Sequence, residues 1–167
     1  MQPGINGHKH KDIMFRSRIV TRALTLFMFL FVWAACGKDD PEKIAEKDRE
    51  KILKYIREND IDAIEHESGI FYQITREGTG AHPTVNSMVK ITYTGKLLDG
   101  KVFDSGFSWS TYLRNTILGW QIGIPLFKRG GAGILIVPSG LGYGEWPRAN
   151  IPGNSVLIFE IELEDFI

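Results

Sequence analysis

The sequence is poor in cysteine, in charge of one sign and in long apolar runs. Its single cysteine, Cys36, excludes an intrachain disulfide. Lys and Arg number 20 and Asp and Glu number 20, so the basic excess that favours a nucleic-acid partner is missing. The apolar run from Ala23 to Ala35, interrupted only by Thr25, would reach about 20 Å as a helix, short of the ~30 Å hydrocarbon core. There is no Cys/His cluster at metal-ligand spacing, no nucleophile elbow and no phosphate-binding glycine loop. No metal, cofactor or covalent nucleophile is therefore expected. A length of 167 residues accommodates one ordinary domain and an extension.

The even charge balance conceals three segments. Residues 1–35 carry Lys9, Lys11, Arg16, Arg18 and Arg22 against Asp12 alone, followed by the apolar run. Basic residues before a short apolar stretch that ends in small residues describe a secretory signal peptide. A buried core helix fits less well, because nothing on the flanks caps it and it is apolar all round. The run stops at Ala34-Ala35-Cys36-Gly37, which resembles a bacterial lipobox, with Trp33 where an aliphatic residue is usual. On that reading Cys36 is lipidated and anchors the protein to the outer membrane, facing the periplasm or the outside. Met14 opens a more compact signal than Met1. Cys36-Gly37-Lys38-Asp39-Asp40 also resembles the export tag of surface lipoproteins in Bacteroidetes-type bacteria, and reads equally as solvated spacer.

Residues 36–68 form the second segment, a charged spacer. Pro41 suits the first turn of a helix, with Asp39, Asp40 and Glu42 favourable at its N-terminus. Ile44, Ile52, Tyr55 and Ile56 make a narrow apolar stripe, and the helix should end near Glu58-Asn59-Asp60. With 18 charged side chains among residues 38–67, a stalk is expected more than a docked helix.

The third segment, residues 69–167, holds 15 of the 18 glycines and reads as a domain able to fold alone. Ile70 to Ile74 is extended and closes at Glu77-Gly78-Thr79-Gly80. Val89, Ile91 and Tyr93 alternate with Lys90, Thr92 and Thr94, which puts Tyr93 on a core face. Asp99-Gly100 signals a hairpin, and Gly133 to Val137 is a continuous apolar strand halted by Pro138. In the last run Leu157, Phe159, Ile161 and Leu163 share one face, opposite Glu160, Glu162 and Glu164. Only Trp120, Ile124 and Phe127 have helical spacing, and Pro125 keeps that helix short. The fold class is α+β: a curved antiparallel β-sheet around one short α-helix, preceded by a charged helix and a signal peptide.

Six pieces of this segment occur in an order that is itself informative. They are Ile91-Thr92-Tyr93-Thr94-Gly95-Lys96-Leu97, Gly100-Lys101-Val102-Phe103-Asp104-Ser105, Ile117-Leu118-Gly119-Trp120, Ile136-Val137-Pro138-Ser139, Gly142-Tyr143-Gly144, and Ile151-Pro152 followed by Leu157-Ile158-Phe159-Glu160. Together they resemble the FKBP-type peptidyl-prolyl cis-trans isomerases. The resemblance implies a pocket on the concave side of the sheet, with Trp120 as floor and Tyr93, Phe103, Asp104, Ile117, Tyr143, Ile151 and Phe159 around it. It implies catalytic roles for Asp104, Tyr143, Trp120 and Phe159, and proline-containing polypeptides as substrates. The segment between Asp104 and Trp120 is shorter than in the family. There the alternation of Trp109, Thr111 and Leu113 makes Trp109 a better pocket candidate than Tyr112. Trp146, in a loop poor in glycine, could lean over the pocket mouth. Two functions fit: an isomerase assisting the folding of exported proteins, and a non-catalytic binding module at the cell envelope.

Overall fold

The computed structural model describes residues 40–167, which form one compact unit. The signal peptide expected at 1–35 and the expected lipidation site, Cys36, lie outside the described residues. Two helices and six strands follow in order: α1 (Pro41–Glu58), β1 (Ile64–Glu65), β2 (Phe71–Arg76), β3 (Met88–Leu97), β4 (Val102–Tyr112), α2 (Leu118–Gly123), β5 (Ala132–Val137) and β6 (Leu157–Phe166). Short 3₁₀ turns cover Leu113–Asn115, Ile124–Leu126 and Ser139–Leu141. All strand pairs are antiparallel, in the order β1-β2-β5-β6-β3-β4. Among the described residues no helix is long and apolar enough to cross a membrane.

The sheet is covered on both faces. On one face Leu135 and Val137 of β5, and Leu157, Phe159, Ile161 and Leu163 of β6, pack with Trp120 and Ile124. Helix α2 can lie this close to β5 because Gly119 and Gly123, one turn apart, point at Val137 and Leu135, where any Cβ would collide. The helix is short for the expected reason: Pro125 falls in the 3₁₀ turn that follows it.

On the other face Phe71, Ile136, Val156 and Ile158 pack against Ile52 of α1. The charged helix therefore docks on the sheet and does not stand off as a stalk. Its stripe is narrow but deep: Ile52 is fully buried, and the alternate residues of β5 and β6 that it meets are apolar too. Double-sided burial is also why β5 reads as an uninterrupted apolar run. Asp40 caps the helix N-terminus through the Glu42 N–H at 3.2 Å, and Asn59 closes the other end on the Tyr55 carbonyl. Arg49 clasps Glu65 of β1 with two bonds of 2.7 and 2.8 Å, an exposed pair of small energetic weight.

Burial of Ile52 makes the helix part of the folding unit. Ile52→Ala is expected to lower unfolding stability by about 2–5 kcal/mol, the usual cost of emptying a buried aliphatic site. Urea titration of residues 40–167 checks this. A loss below about 1 kcal/mol would mean that α1 contributes no core.

Candidate functional site

A cavity of about 470 Å³ opens on the α2 side of the sheet. Its floor is Trp120, which is 4% exposed. Three rings stand edge-on around that indole: Tyr93 at 4.9 Å and 90°, Phe159 at 5.2 Å and 78°, and Trp109 at 6.3 Å and 69° between ring centres. Edge-to-face contacts suit the aromatic quadrupole and hold the rings rigidly. Trp120 Nε1 is buried and has no hydrogen-bond partner among the described residues.

The strands explain why these rings meet. Tyr93 pairs with Ile161 across β3 and β6, and Gly95 pairs with Phe159, so Tyr93 and Phe159 fall on one sheet face. Ile117 immediately precedes α2 and lines the cavity beside Trp120. Tyr143 arrives on the loop after β5 and also lines the cavity. Phe103 and Ile151 do not line the cavity. Phe103 stands behind Phe159, with ring centres 5.7 Å apart at 87°. Ile151 is buried in the core and bridges to Arg148, donating to its carbonyl at 2.6 Å and accepting from its N–H at 2.9 Å.

Trp109 reaches the cavity through an irregularity in β4. Ile91 faces Trp109 but Tyr93 faces Gly106, so Phe107 and Ser108 together oppose Thr92 and the edge strand carries one extra residue. Ser108 takes a left-handed conformation with φ of 49°. A polar clamp from the neighbouring strands holds it there. Its N–H donates to Thr92 Oγ1 at 2.9 Å, and its hydroxyl donates to Glu164 at 2.8 and 2.9 Å. Thr92 donates to the same carboxylate at 2.6 Å, and Lys90 stands 3.1 Å from it. Tyr112 falls outside the lining and lies under the Arg114 guanidinium, 4.3 Å from the ring centre.

The polar groups of the cavity converge on Asp104. The Tyr93 hydroxyl donates to Asp104 Oδ2 at 2.8 Å, and the Ser105 N–H donates to Oδ1 at 2.9 Å. Burial, followed by the Asp104 hydrogen bond and charge, drives the Tyr93 hydroxyl far above the ordinary phenol range. Burial likewise raises Tyr143; the Asp104 charge adds to that, and Arg148 opposes it. Both phenols therefore stay protonated and able to donate at neutral pH. Gly142 of the Gly142-Tyr143-Gly144 motif also lines the cavity, as do Asn115, Thr116 and Arg148, which sequence reasoning does not single out. Arg148 lies 5.2 Å from the Tyr143 ring centre. It occupies the mouth position anticipated for Trp146, whose ring is 71% exposed and outside the lining. The one cation in a Trp-Pro-Arg-Ala-Asn stretch was the available signal.

Residues 80–164 match the family model described as FKBP-type peptidyl-prolyl cis-trans isomerase. The chain is 43% identical over 101 residues to the FKBP-type peptidyl-prolyl cis-trans isomerase FkpA of Aeromonas hydrophila, covering 58% of this chain and 38% of that protein. It is 38% identical over 138 residues to a probable FKBP-type peptidyl-prolyl cis-trans isomerase of Haemophilus influenzae, covering 78% and 57%. The matched stretch thus spans well under two thirds of these relatives' lengths. Among solved structures, a peptidyl-prolyl cis-trans isomerase from Pseudomonas syringae superimposes with a TM-score of 0.66 at 29% identity, over 78% of this chain and 98% of that one. FkpA from Escherichia coli gives 0.63 at 29% identity, over 88% and 71%.

The clamp at Ser108 carries a pH signature. Hydrogen bonds from Thr92 and Ser108, with Lys90 beside them, hold the Glu164 carboxyl below its ordinary range. A carboxylate whose folded pKa is depressed stabilises the fold fully above its unfolded value of about 4.3 and loses that contribution as pH falls through the folded value. Thermal unfolding of the wild type should therefore fall more steeply than that of Glu164→Gln between about pH 6 and about pH 3. Parallel profiles would show that the clamp contributes no net stability.

Proposed function

The chain belongs to the family of FKBP-type peptidyl-prolyl cis-trans isomerases, and from that premise we propose that it catalyses rotation about X-Pro bonds, assisting the folding of exported polypeptides. The observation that carries the reading is a rigid aromatic box, built on Trp120 and bounded by Tyr93, Phe159 and Trp109, beside a few fixed polar groups.

Rotation about the peptide bond faces a barrier of about 18–20 kcal/mol, set by lost amide resonance. No covalent bond to the enzyme is required. The twisted amide is less charge-separated than the planar one, so an apolar, water-poor enclosure favours it over the ground state. In the proposed complex the prolyl ring rests on Trp120 between Phe159 and Ile117. Tyr143 donates to a substrate carbonyl and holds the backbone in the turn from which twisting starts. Asp104, with its oxygens engaged by Tyr93 and the Ser105 N–H, orients that wall and takes no part in proton transfer. Phe103 and Ile151 support the site from behind. The apolar rim favours an apolar residue before the proline. Tyr143→Phe is expected to remain folded and to lose about 0.5–1.5 kcal/mol of transition-state stabilisation, a two- to roughly tenfold fall in kcat/KM. NMR exchange spectroscopy on X-Pro peptides reads it directly. A folded wild type that accelerates no X-Pro peptide would leave only a binding module that holds proline-containing segments.

The same proposal places the protein in the cell envelope, as a lipoprotein of the Bacteroidetes type. The cationic and apolar residues 1–35 serve as signal peptide, Cys36 becomes the lipidated N-terminus, and the anchor sits in the outer membrane. Stable attachment follows from a multi-chain lipid, since a single acyl chain binds only marginally. Cys36→Ala should release the protein from the membrane fraction or leave an uncleaved precursor. Unchanged mass together with unchanged fractionation would refute the anchor.

A further inference from the structure

We propose that Asp48 of α1 is a positioning residue for the loop that carries Tyr143, so that the docked helix tunes the pocket from the far side of the sheet. The inference rests on the isomerase reading above. Asp48 sits one turn before Ile52 on the buried stripe of α1 and is 1% exposed. Packing alone does not account for a carboxylate there, since an apolar side chain would extend the Ile52 stripe without the cost of desolvating a charge.

The hydrogen bonds of Asp48 do account for it. One oxygen accepts from Lys51 Nζ at 2.9 Å, and the other accepts from the Ser139 N–H at 2.9 Å. Ser139 follows Pro138 at the end of β5 and is itself buried. Its hydroxyl has no partner among the described residues, so its link to α1 runs through the backbone. The Ser139 carbonyl in turn accepts from the Gly142 N–H at 3.0 Å and the Gly144 N–H at 2.9 Å. These two amides flank Tyr143. A continuous series therefore runs from the Asp48 carboxylate through the backbone N–H and carbonyl of Ser139 to both neighbours of the residue assigned to grip the substrate carbonyl. Asp48 touches no substrate; it sets where Tyr143 can stand.

Three variants of the described unit test this. Asp48→Leu keeps the site filled and removes the buried charge, so it should fold, yet it offers Ser139 no acceptor. Asp48→Ala removes acceptor and volume. Asp48→Asn keeps an acceptor oxygen without the charge. At matched global stability, Asp48→Leu should lose roughly fivefold to tenfold in kcat/KM on an X-Pro peptide, mostly in kcat, as one charge-assisted hydrogen bond is lost. Hydrogen exchange at the Gly142 and Gly144 amides should speed up in Asp48→Leu and Asp48→Ala, and Asp48→Asn should restore both readouts most of the way. Wild-type exchange at both glycines in a folded Asp48→Leu would overturn the proposal. So would damage in Asp48→Asn equal to that in Asp48→Leu. If the wild type accelerates no X-Pro peptide, the isomerase reading fails alone, because the glycine exchange still reports whether Asp48 holds the loop.

Discussion

The two-residue period of β6 governs what each face of this domain buries. The strand pairs along its length with β3 on one side and β5 on the other, so its register is imposed on the sheet. Leu157, Phe159, Ile161 and Leu163 turn toward α2, and Ile158 turns toward Ile52 of α1. A slip of one residue would send Phe159 to the α1 side and a glutamate into the aromatic box. Both cores prevent it, because each face is covered and neither tolerates the exchange. Pocket and docking site are thus two readings of one alternation.

That alternation is also why much of the site was legible before any coordinates. Phe159 and Tyr93 each lie in a strand whose polar and apolar residues alternate cleanly, and Trp120 lies in the one short segment of helical spacing. The covering of the second face was not legible. In residues 38–67 charge density dominates the composition, and a stripe that narrow is consistent with a free helix; its depth depends on Phe71, Ile136 and Ile158, which lie far along the chain. Asp48 is one of many carboxylates in that segment, and nothing local marks it as the partner of Ser139. Trp109 lies in the cavity lining, but it gets there by a route other than simple alternation. Simple alternation would carry through Phe107, yet the one extra residue of the bulge takes the inner face from Gly106 directly to Trp109 and leaves Phe107 86% exposed. Ser108 adopts a positive φ that glycine usually supplies, so the sequence carries no turn signal there.

The polar atoms of the cavity show a division of labour between strength and position. Asp104 is held by the Tyr93 hydroxyl and the Ser105 N–H, and Arg148 is fixed through its backbone to Ile151 while its guanidinium stands over the Tyr143 ring. Satisfied in this way, they cost little reorganisation when a peptide enters, and they leave the centre of the box to apolar surface. Trp120 Nε1 differs: it is a buried donor without an acceptor among the described residues. Such a group costs stability until something accepts from it, and it sits at the floor of the cavity.

A reaction that makes and breaks no bond distributes its catalysis differently from acid–base or nucleophilic chemistry. Charge moves only within the amide, so the environment of that amide matters more than the acidity of any one side chain. Single polar deletions should then produce modest effects, each on the scale of one hydrogen bond, while the enclosure acts as a unit. The placement of the rings is accordingly the costly part of the design, and it is carried by elements outside the pocket. Gly119 and Gly123 bring α2 onto β5, Glu164 holds the turn of β4, and α1 backs the strand from which the Tyr143 loop departs. On the proposed isomerase reading, residues distant from the prolyl ring act on the same free energy as those that touch it, because each one fixes where an aromatic face or a hydroxyl stands.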